Sequence, residues 1–470
     1  MPRHIERSVD EHLRLVLELG RHYRPGIDYV GSVDAVGRVL AEDVAASWDI
    51  PRFPQSAMDG FAVRHADLVG SQGCEDADLG IDSGELSGVG LAPDHGRGSE
   101  PGRLAESRGD APNDASPCCV GGGGERVVGG SPGLAAQEIP VVARIFAGDW
   151  PASLAPGTAA RIMTGAVVPP GADTVIPFEQ ADYTDTTMRL SGAASRGANI
   201  RQRGEDVGLG DTVLTAGTRL AARHIGAGVA AGRSLWAVIR QPKVAIITTG
   251  DELANPPSRP SSDLQPAKIV DSNGPYLVAA LTGLGASVSS YTRCADDPTD
   301  IERALAEAKE ADLILITGGA SMGDKDVARA MLQSRGVEFV AVKMQPGKPQ
   351  GAGLVDGVPV LSLPGNPVSA AVSVAVFVRP LIESLLGTTP PPRVWATVAH
   401  GWRSVRGRRQ FYPVRLNYDA TGQCLIEPVS ARGAQSHLVT SLARADALAV
   451  VPELVDEVRP GDHLELLALL

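Results

Sequence analysis

The hydrophobic pattern changes period along the chain. Between residues 244 and 386, short apolar runs alternate with runs of helical spacing. VAIITTG (244–250), ASVSSYTRC (286–294), LILITGG (313–319), VEFVAVKM (337–344) and PVLSLPG (359–365) read as strands. GPYLVAALTGLG (274–285), DIERALAEAKEA (300–311), DVARAMLQSRG (326–336) and NPVSAAVSVAVFVRPLIESLLG (366–387) read as helices. Such alternation predicts a parallel sheet with helices on both faces. Ligands of these sheets bind at the carboxyl ends of the strands.

Other stretches have other periods. Residues 8–20 carry Val9, Leu13, Val16 and Leu17 near helical spacing, with Ser8 as cap and Glu11 three residues on. Residues 33–44 read as a second helical or mixed stretch, ended by Pro51 to Pro54. IPVVARIFAG, GTAARIMTGAVVP, ADTVIPFEQ and GDTVLTAGTRL are short, β-branched and punctuated by Gly and Pro, which predicts a barrel or sandwich. Residues 221–229 look helical. After the TTPPP linker, five short strand-like runs predict a small all-β C-terminal domain. Residues 71–137 are rich in Gly, Ser, Asp and Pro. They carry too little apolar surface to offset ordering entropy and read as a disordered insertion.

Composition narrows the picture. At 470 residues the chain is too long for one core. Aromatics are only 4%, so the cores rest on Val, Leu, Ala and Ile. A net charge of −12 disfavours non-specific nucleic-acid binding but leaves room for a local anion site. Cys74, Cys118, Cys119, Cys294 and Cys424 form no CxxC pair, so a reducing cytoplasm is expected. The charged N-terminus lacks a signal peptide's apolar run, and the apolar stretch 368–378 is about half the length that spans a bilayer.

Several turns invite chemistry. In LILITGGASMGDKD, Gly318 and Gly319 follow a buried strand, with Ser321 and Asp326 close behind. Adjacent glycines let backbone N–H groups approach an anion, and a carboxylate beside phosphates usually implies a divalent cation. An ordinary strand-to-helix turn with a capping Asp fits the same residues. In LSLPGNPVSAAV, Gly365, Asn366 and Ser369 form either a helix cap or a second anion site. Lys343 and Lys348 flank a Pro-Gly turn and suit an oxyanion or a solvated loop. Asp251, Glu252, Asp271, Asp296 and Asp297 all follow predicted strands or open helices of one sheet. Each alone could be a cap; together they suggest a metal-and-phosphate site. Asp59 in SAMDG and Thr164 in RIMTG sit in tight turns whose function spacing does not reveal.

SAMDGFAVR, RIMTGAVVPPGADTV, RQRGEDV, TTGDEL, TGGASMGDKDV, PGKP and LPGNPVSA, in this order, resemble the molybdopterin molybdenumtransferase family. It includes MoeA and the E domains of gephyrin and plant Cnx1. The resemblance covers nearly all of the chain outside the insertion. It implies insertion of molybdenum from molybdate into adenylylated molybdopterin, with release of AMP and help from Mg2+. This is the final step of molybdenum cofactor biosynthesis. It also implies an elongated cytoplasmic homodimer whose cleft is shared between subunits, working with molybdopterin adenylyltransferase and molybdoenzyme-maturation proteins. Neither nucleic acid nor membrane is expected as a partner.

Domains are expected at 1–26 (a helix on the α/β domain), 27–45 with 211–241 (linking), 46–210 (β-rich), 242–387 (α/β, molybdopterin-binding) and 388–470 (all-β). By resemblance, Asp59, Thr164, Glu252, Asp296 and Asp326 are catalytic, with Asp326 and Glu252 at the metal. Gly318, Gly319, Ser321, Lys343, Lys348, Gly365, Asn366 and Ser369 contact phosphate or substrate, and Lys348, Ser321 and Arg415 contact molybdate.

Two departures stand out. Gln345 replaces a Lys common in the family, and Pro413 falls where many members have an Arg. Arg415, two residues on and thus on the same strand face, or Arg409, is the expected substitute. Other readings are a molybdopterin adenylyltransferase, whose family lacks the SAMDG and RIMTG domains, a silent dimeric scaffold, or a tungstate-handling paralogue.

Overall fold

The computed structural model describes residues 5–68, 137–255, 267–319, 327–388, 390, 392–430 and 435–469. Cys74, Cys118, Cys119, Ser321, Asp326 and nearly all of the 71–137 insertion lie outside the described residues. The chain forms two compact units, Met1–Arg52 with Gly204–Leu470, and Phe53–Arg203.

In the first unit a seven-stranded sheet runs in the order Glu6–Arg7, Val337–Val342, Pro349–Val355, Val358–Leu363, Leu313–Thr317, Lys243–Thr249, Ser287–Cys294. The last four in this order pair in parallel, as expected. Pro349–Val355 was not expected: it pairs antiparallel with both neighbours, because Gly357 at φ +85° turns the chain straight back. Glu6–Arg7 also joins the edge, parallel to Val337–Val342.

Helices follow the apolar periodicity. Ser8 and Glu11 form the expected capping box: Glu11 N–H donates to Ser8 Oγ at 3.2 Å, and Ser8 N–H donates to Glu11 Oε2 at 2.7 Å. The helix Val9–Leu19 then buries Val9, His12 and Val16. The continuous helix Pro367–Leu385 is long and apolar enough to cross a membrane by composition, beyond the shorter stretch noted in the sequence. Here 78% of its apolar window is buried, against Leu281, Leu315 and the N-terminal helix.

Residues 33–44 hold no helix. Turns follow the strand Ile27–Gly31, and Gly37 takes φ +80°, which stops helical winding. Thr212–Leu214 pairs with Val44–Ala45 in the first unit.

The C-terminal strands close on themselves. Arg409–Tyr418 pairs with both Cys424–Pro428 and Ala447–Val451, completing a five-stranded barrel with Val394–Val398 and His463–Ala468. Met344–Gln345 adds to its edge, in register with Arg409 and Gln410. That pairing ties the barrel to the loop after Val342.

The second unit is built on a six-stranded sheet, ordered Thr174–Pro177, Gly60–Val63, Ala159–Ile162, Ile139–Ile145, Thr187–Leu190, Ala181–Tyr183. Its centre is apolar on both faces: Phe61, Ala62, Val63, Ile162, Val175 and Ile176 are all buried.

Candidate functional site

The sheet of the first unit dictates where a cleft opens. From Lys243–Thr249 the chain crosses to Ser287–Cys294 on one side, then to Leu313–Thr317 on the other. The loops leaving Thr249 and Thr317 therefore diverge, and a crevice forms at this switch point. A cleft of about 490 Å3 lies there, lined by Thr249, Glu252, Asp296, Gly318, Gly319, Gly365 and Asn366 among others.

Its floor has no room for side chains. Gly318 takes φ +93°, and a Cβ there would sit 2.2 Å from the Thr249 carbonyl oxygen. Thr249 itself is buried, and its hydroxyl has no hydrogen-bond partner among the described residues.

Asn273 ties the two glycine loops together. Its Nδ2 donates to Thr317 Oγ1 at 2.9 Å and to the Gly365 carbonyl oxygen at 2.7 Å. Thr317 Oγ1 in turn donates to the Pro364 carbonyl oxygen. The sequence reading did not single out Asn273. Its signal was position alone, at the start of a helix that follows a strand-like run.

The structure sorts the carboxylates. Asp271 is buried and accepts from Thr248 Oγ1 at 2.7 Å, Tyr291 OH at 2.6 Å and Gly274 N–H at 3.0 Å. It is an anchor for the helix start. Burial, and then the Asp271 carboxylate beside it, push the Tyr291 hydroxyl up to about 12. Asp297 caps the helix Pro298–Glu307 by accepting from Thr299 N–H and Asp300 N–H. Asp251 accepts from Asp296 N–H at 3.1 Å and clamps two loops. Glu252 and Asp296 remain to line the cleft.

A second cleft, of about 450 Å3, opens between the Pro346–Pro349 turn and the C-terminal barrel. Gln345, Lys348, Asn366, Ser369, Arg408, Ser436 and His437 are among its lining residues. Among the described residues, no lining residue is acidic. Val368 N–H donates to the Ser436 carbonyl oxygen at 3.0 Å, which holds the barrel's 435–438 turn over the helix start. Asn366 lines both clefts, so the two are neighbours.

Three expected oxyanion contacts are not brought here. Lys343 is exposed and lines neither cleft; its backbone bridges Arg7 and Arg409 instead. Arg415 is exposed, faces Glu427 across the barrel and lines neither cleft. Arg409 is held by Asp10 at 2.8 Å and Glu453 at 2.9 Å. Pro413 is buried in the barrel, opposite Leu448.

In the second unit Asp59 and Thr164 meet. Asp59 Oδ1 accepts from Thr164 N–H at 2.7 Å and from Thr164 Oγ1 at 2.8 Å. The Thr164 N–H, then its hydroxyl, hold the Asp59 carboxyl below the usual carboxylate range. Gly165 N–H donates to the Ser56 carbonyl oxygen at 2.8 Å, locking the two turns together. Gly60 is obligatory here, because a Cβ would lie 2.0 Å from the Ile176 carbonyl oxygen.

Fold and site define a multidomain α/β protein with a glycine-lined cleft at its switch point and a second cleft, lined by Lys348 and Arg408, beside it. Family comparison agrees along the whole chain. Residues 7–232 match the MoeA N-terminal region (domain I and II), 245–384 a probable molybdopterin binding domain, and 396–469 the MoeA C-terminal region (domain IV). A Mycobacterium tuberculosis protein named molybdopterin molybdenumtransferase 2 is 34% identical, covering 98% of each chain. A Haemophilus influenzae molybdopterin molybdenumtransferase is 29% identical, covering 93% of this chain and 92% of its own. A molybdopterin biosynthesis MoeA structure from Pyrococcus superposes with a TM-score of 0.68 at 26% identity, covering 98% of each chain. The chain belongs to the molybdopterin molybdenumtransferase family.

Proposed function

We propose that the two neighbouring clefts carry out one reaction: molybdenum from molybdate enters adenylylated molybdopterin, and AMP leaves. The carrying observation is Asn366, which lines both the glycine cradle and the basic cleft. A ligand whose phosphates rest on Gly318, Gly319 and Gly365 would extend toward an oxyanion held by Lys348 and Ser369. Backbone N–H groups at glycine turns suit phosphate oxygens. A lysine and hydroxyls suit a tetrahedral dianion.

Breaking a phosphoanhydride between two anionic groups needs its developing charge neutralised. Mg2+ fits the first cleft, because it is commonly held by one or two carboxylates with substrate phosphates. Glu252 and Asp296 supply the carboxylates; among the described residues no group of three His, Cys, Asp or Glu forms a closed metal cage. With substrate bound, the ion would supply positive charge beside the anhydride. Asn273 keeps the two glycine loops at a fixed separation, and Lys348 holds the incoming oxyanion.

The active form we propose is a homodimer, with Asp59 and Thr164 of one subunit serving the clefts of the other. An apolar strip supports a second copy: Ile27, Tyr29 and Leu235 share one face of the paired strands Ile27–Gly31 and Leu235–Ile239 and are all more than half exposed. The reaction is placed in the cytoplasm, between a molybdopterin adenylyltransferase that supplies the substrate and the proteins that mature molybdoenzymes. The test is to supply adenylylated molybdopterin, Mg2+ and molybdate and measure AMP. Turnover only with unmodified molybdopterin and ATP would point to the adenylyltransferase reaction instead.

A further inference from the structure

We infer that Gln350 is a positioning residue for the proposed reaction: its buried amide ties the turn that carries Lys348 to the helix that carries Ser369. The inference rests on reading the second cleft as the place where the oxyanion is held.

Gln350 lines neither cleft, so it acts through other residues. It is the second residue of the strand Pro349–Val355, opposite Val340, and it is buried. An amide in such a place is unfavourable unless its N–H groups are bonded. Here Nε2 donates to the Gly347 carbonyl oxygen at 2.8 Å and to Ser373 Oγ at 2.7 Å. A carbonyl oxygen only accepts, so the nitrogen of the amide must face the turn.

The first of these bonds anchors one side of Lys348. The Gly347 carbonyl lies in the peptide plane that precedes Lys348. The Lys348 carbonyl lies in the plane that follows, and it accepts from Val342 N–H at 2.7 Å. Peptide planes are rigid, so with both anchored the two backbone dihedrals of Lys348 have little freedom. The direction in which its side chain leaves the backbone is set.

The second bond reaches the helix Pro367–Ser373. Ser373 Oγ accepts from Gln350 and donates to the Ser369 carbonyl oxygen, one turn earlier, at 2.8 Å. Ser369 and Ser373 are both buried. A single neutral amide therefore holds the backbones of Lys348 and Ser369 at a fixed spacing. A carboxylate there could not donate to Gly347 and would compete for the charge of Lys348. Glutamine holds the turn and leaves that charge for the ligand.

The test measures molybdate affinity by isothermal titration in the full chain, Gln350→Met, Lys348→Ala and the double variant, with thermal unfolding of each. Methionine keeps the length and packing of glutamine and removes both donors. Gln350→Met is expected to weaken molybdate binding by about tenfold, while KM for the adenylylated substrate stays the same. In the double variant the two losses should not multiply: its affinity should lie within about twofold of that of Lys348→Ala, because Gln350 acts through Lys348. A lower thermal midpoint with unchanged molybdate affinity would make the tie structural only and overturn the role. Fully multiplicative losses would overturn it too. Weakening by Lys348→Ala but not by Gln350→Met would overturn the role of Gln350 and leave the reading of the cleft standing. Unchanged affinity in Lys348→Ala would overturn the reading and the role together. Should Gln350→Met fail to fold, Ser373→Ala decides: it cuts the link to Ser369 and keeps the bond to Gly347. Partial weakening is then expected, and affinity equal to that of the unsubstituted chain would overturn the tie.

Discussion

Asn273 and Thr317 are joined by a buried hydrogen bond, Nδ2 to Oγ1 at 2.9 Å, and the same amide nitrogen reaches the Gly365 carbonyl oxygen at 2.7 Å. One side chain thus spans the two loops that frame the cradle. Asn273→Ala would leave Thr317 Oγ1 short of a donor and the loops untied. The expected stability loss is about 1–3 kcal/mol, the cost of breaking buried hydrogen bonds. AMP release should fall further than that loss explains, with kcat affected as well as KM, because loop spacing changes. A variant with normal kcat and KM would show that the tie is dispensable.

Asp59 and Thr164 are predicted to act on a cleft of another subunit. Asp59→Ala removes both hydrogen bonds to Thr164, while Asp59→Asn keeps an acceptor and removes only the charge. Both should fold, since Asp59 is exposed. Activity should drop in both, and more in the alanine variant. At limiting molybdate, where each variant alone turns over little, mixing Asp59→Ala with Lys348→Ala chains should restore about a quarter of the unsubstituted activity, since half of randomly paired dimers carry one intact site of two. No recovery after subunit exchange would place Asp59 and Lys348 in the same subunit's site.

Gly318→Ala tests the cradle. The new Cβ would sit 2.2 Å from the Thr249 carbonyl oxygen, at a backbone φ of +93° that L side chains rarely adopt. The strain and the forced shift should cost about 1–3 kcal/mol. Binding of the adenylylated substrate should be lost, while molybdate affinity, read by titration, should persist.

His12 gives the chain an acid sensitivity unrelated to catalysis. It is buried to 1% exposure, meets Phe377 edge-on at 4.8 Å, and its Nδ1 has no partner among the described residues. Burial, with Arg7 nearby, lowers it from 6.5 to about 4. The unfolded chain takes up a proton below 6.5 that the folded chain refuses until about 4. Stability is therefore full above 6.5 and falls as the pH drops through this window, by about 3 kcal/mol at its lower end. His12→Leu should flatten that part of a denaturation-versus-pH curve. An unchanged slope would contradict the assignment.

Much of this was legible in the sequence, and the exceptions share a cause. The block alternation in 244–386 predicted the parallel strands and their helices, because buried strands and amphipathic helices have different periods. Pro349–Val355 escaped: its Gly-rich run, Gly351, Ala352 and Gly353, has little side chain to show a period. Those glycines are required by packing, since a Cβ on Gly353 would lie 2.4 Å from the Gly336 carbonyl oxygen. The glycine loops and the Asp59 and Thr164 turns were visible as local chemistry. The tie made by Asn273 was not, because its hydrogen bonds reach segments distant in sequence. Strand periodicity, correctly applied from Pro413 to Arg415, pointed to the solvent-facing side of the barrel. The sequence alone could not show that Arg408, just before the strand, lines the same cleft as Lys348.

The central claim is that oxyanion occupancy of the basic cleft and loss of AMP from the neighbouring cradle are one coupled event. The direct measurement is the rate of AMP release from adenylylated molybdopterin with Mg2+, titrated with molybdate, for the unsubstituted chain and for Lys348→Ala. Coupling predicts that AMP release rises and saturates with molybdate, and that Lys348→Ala shifts the half-saturating concentration upward by about tenfold. AMP release that is fast without molybdate and identical in Lys348→Ala would contradict it.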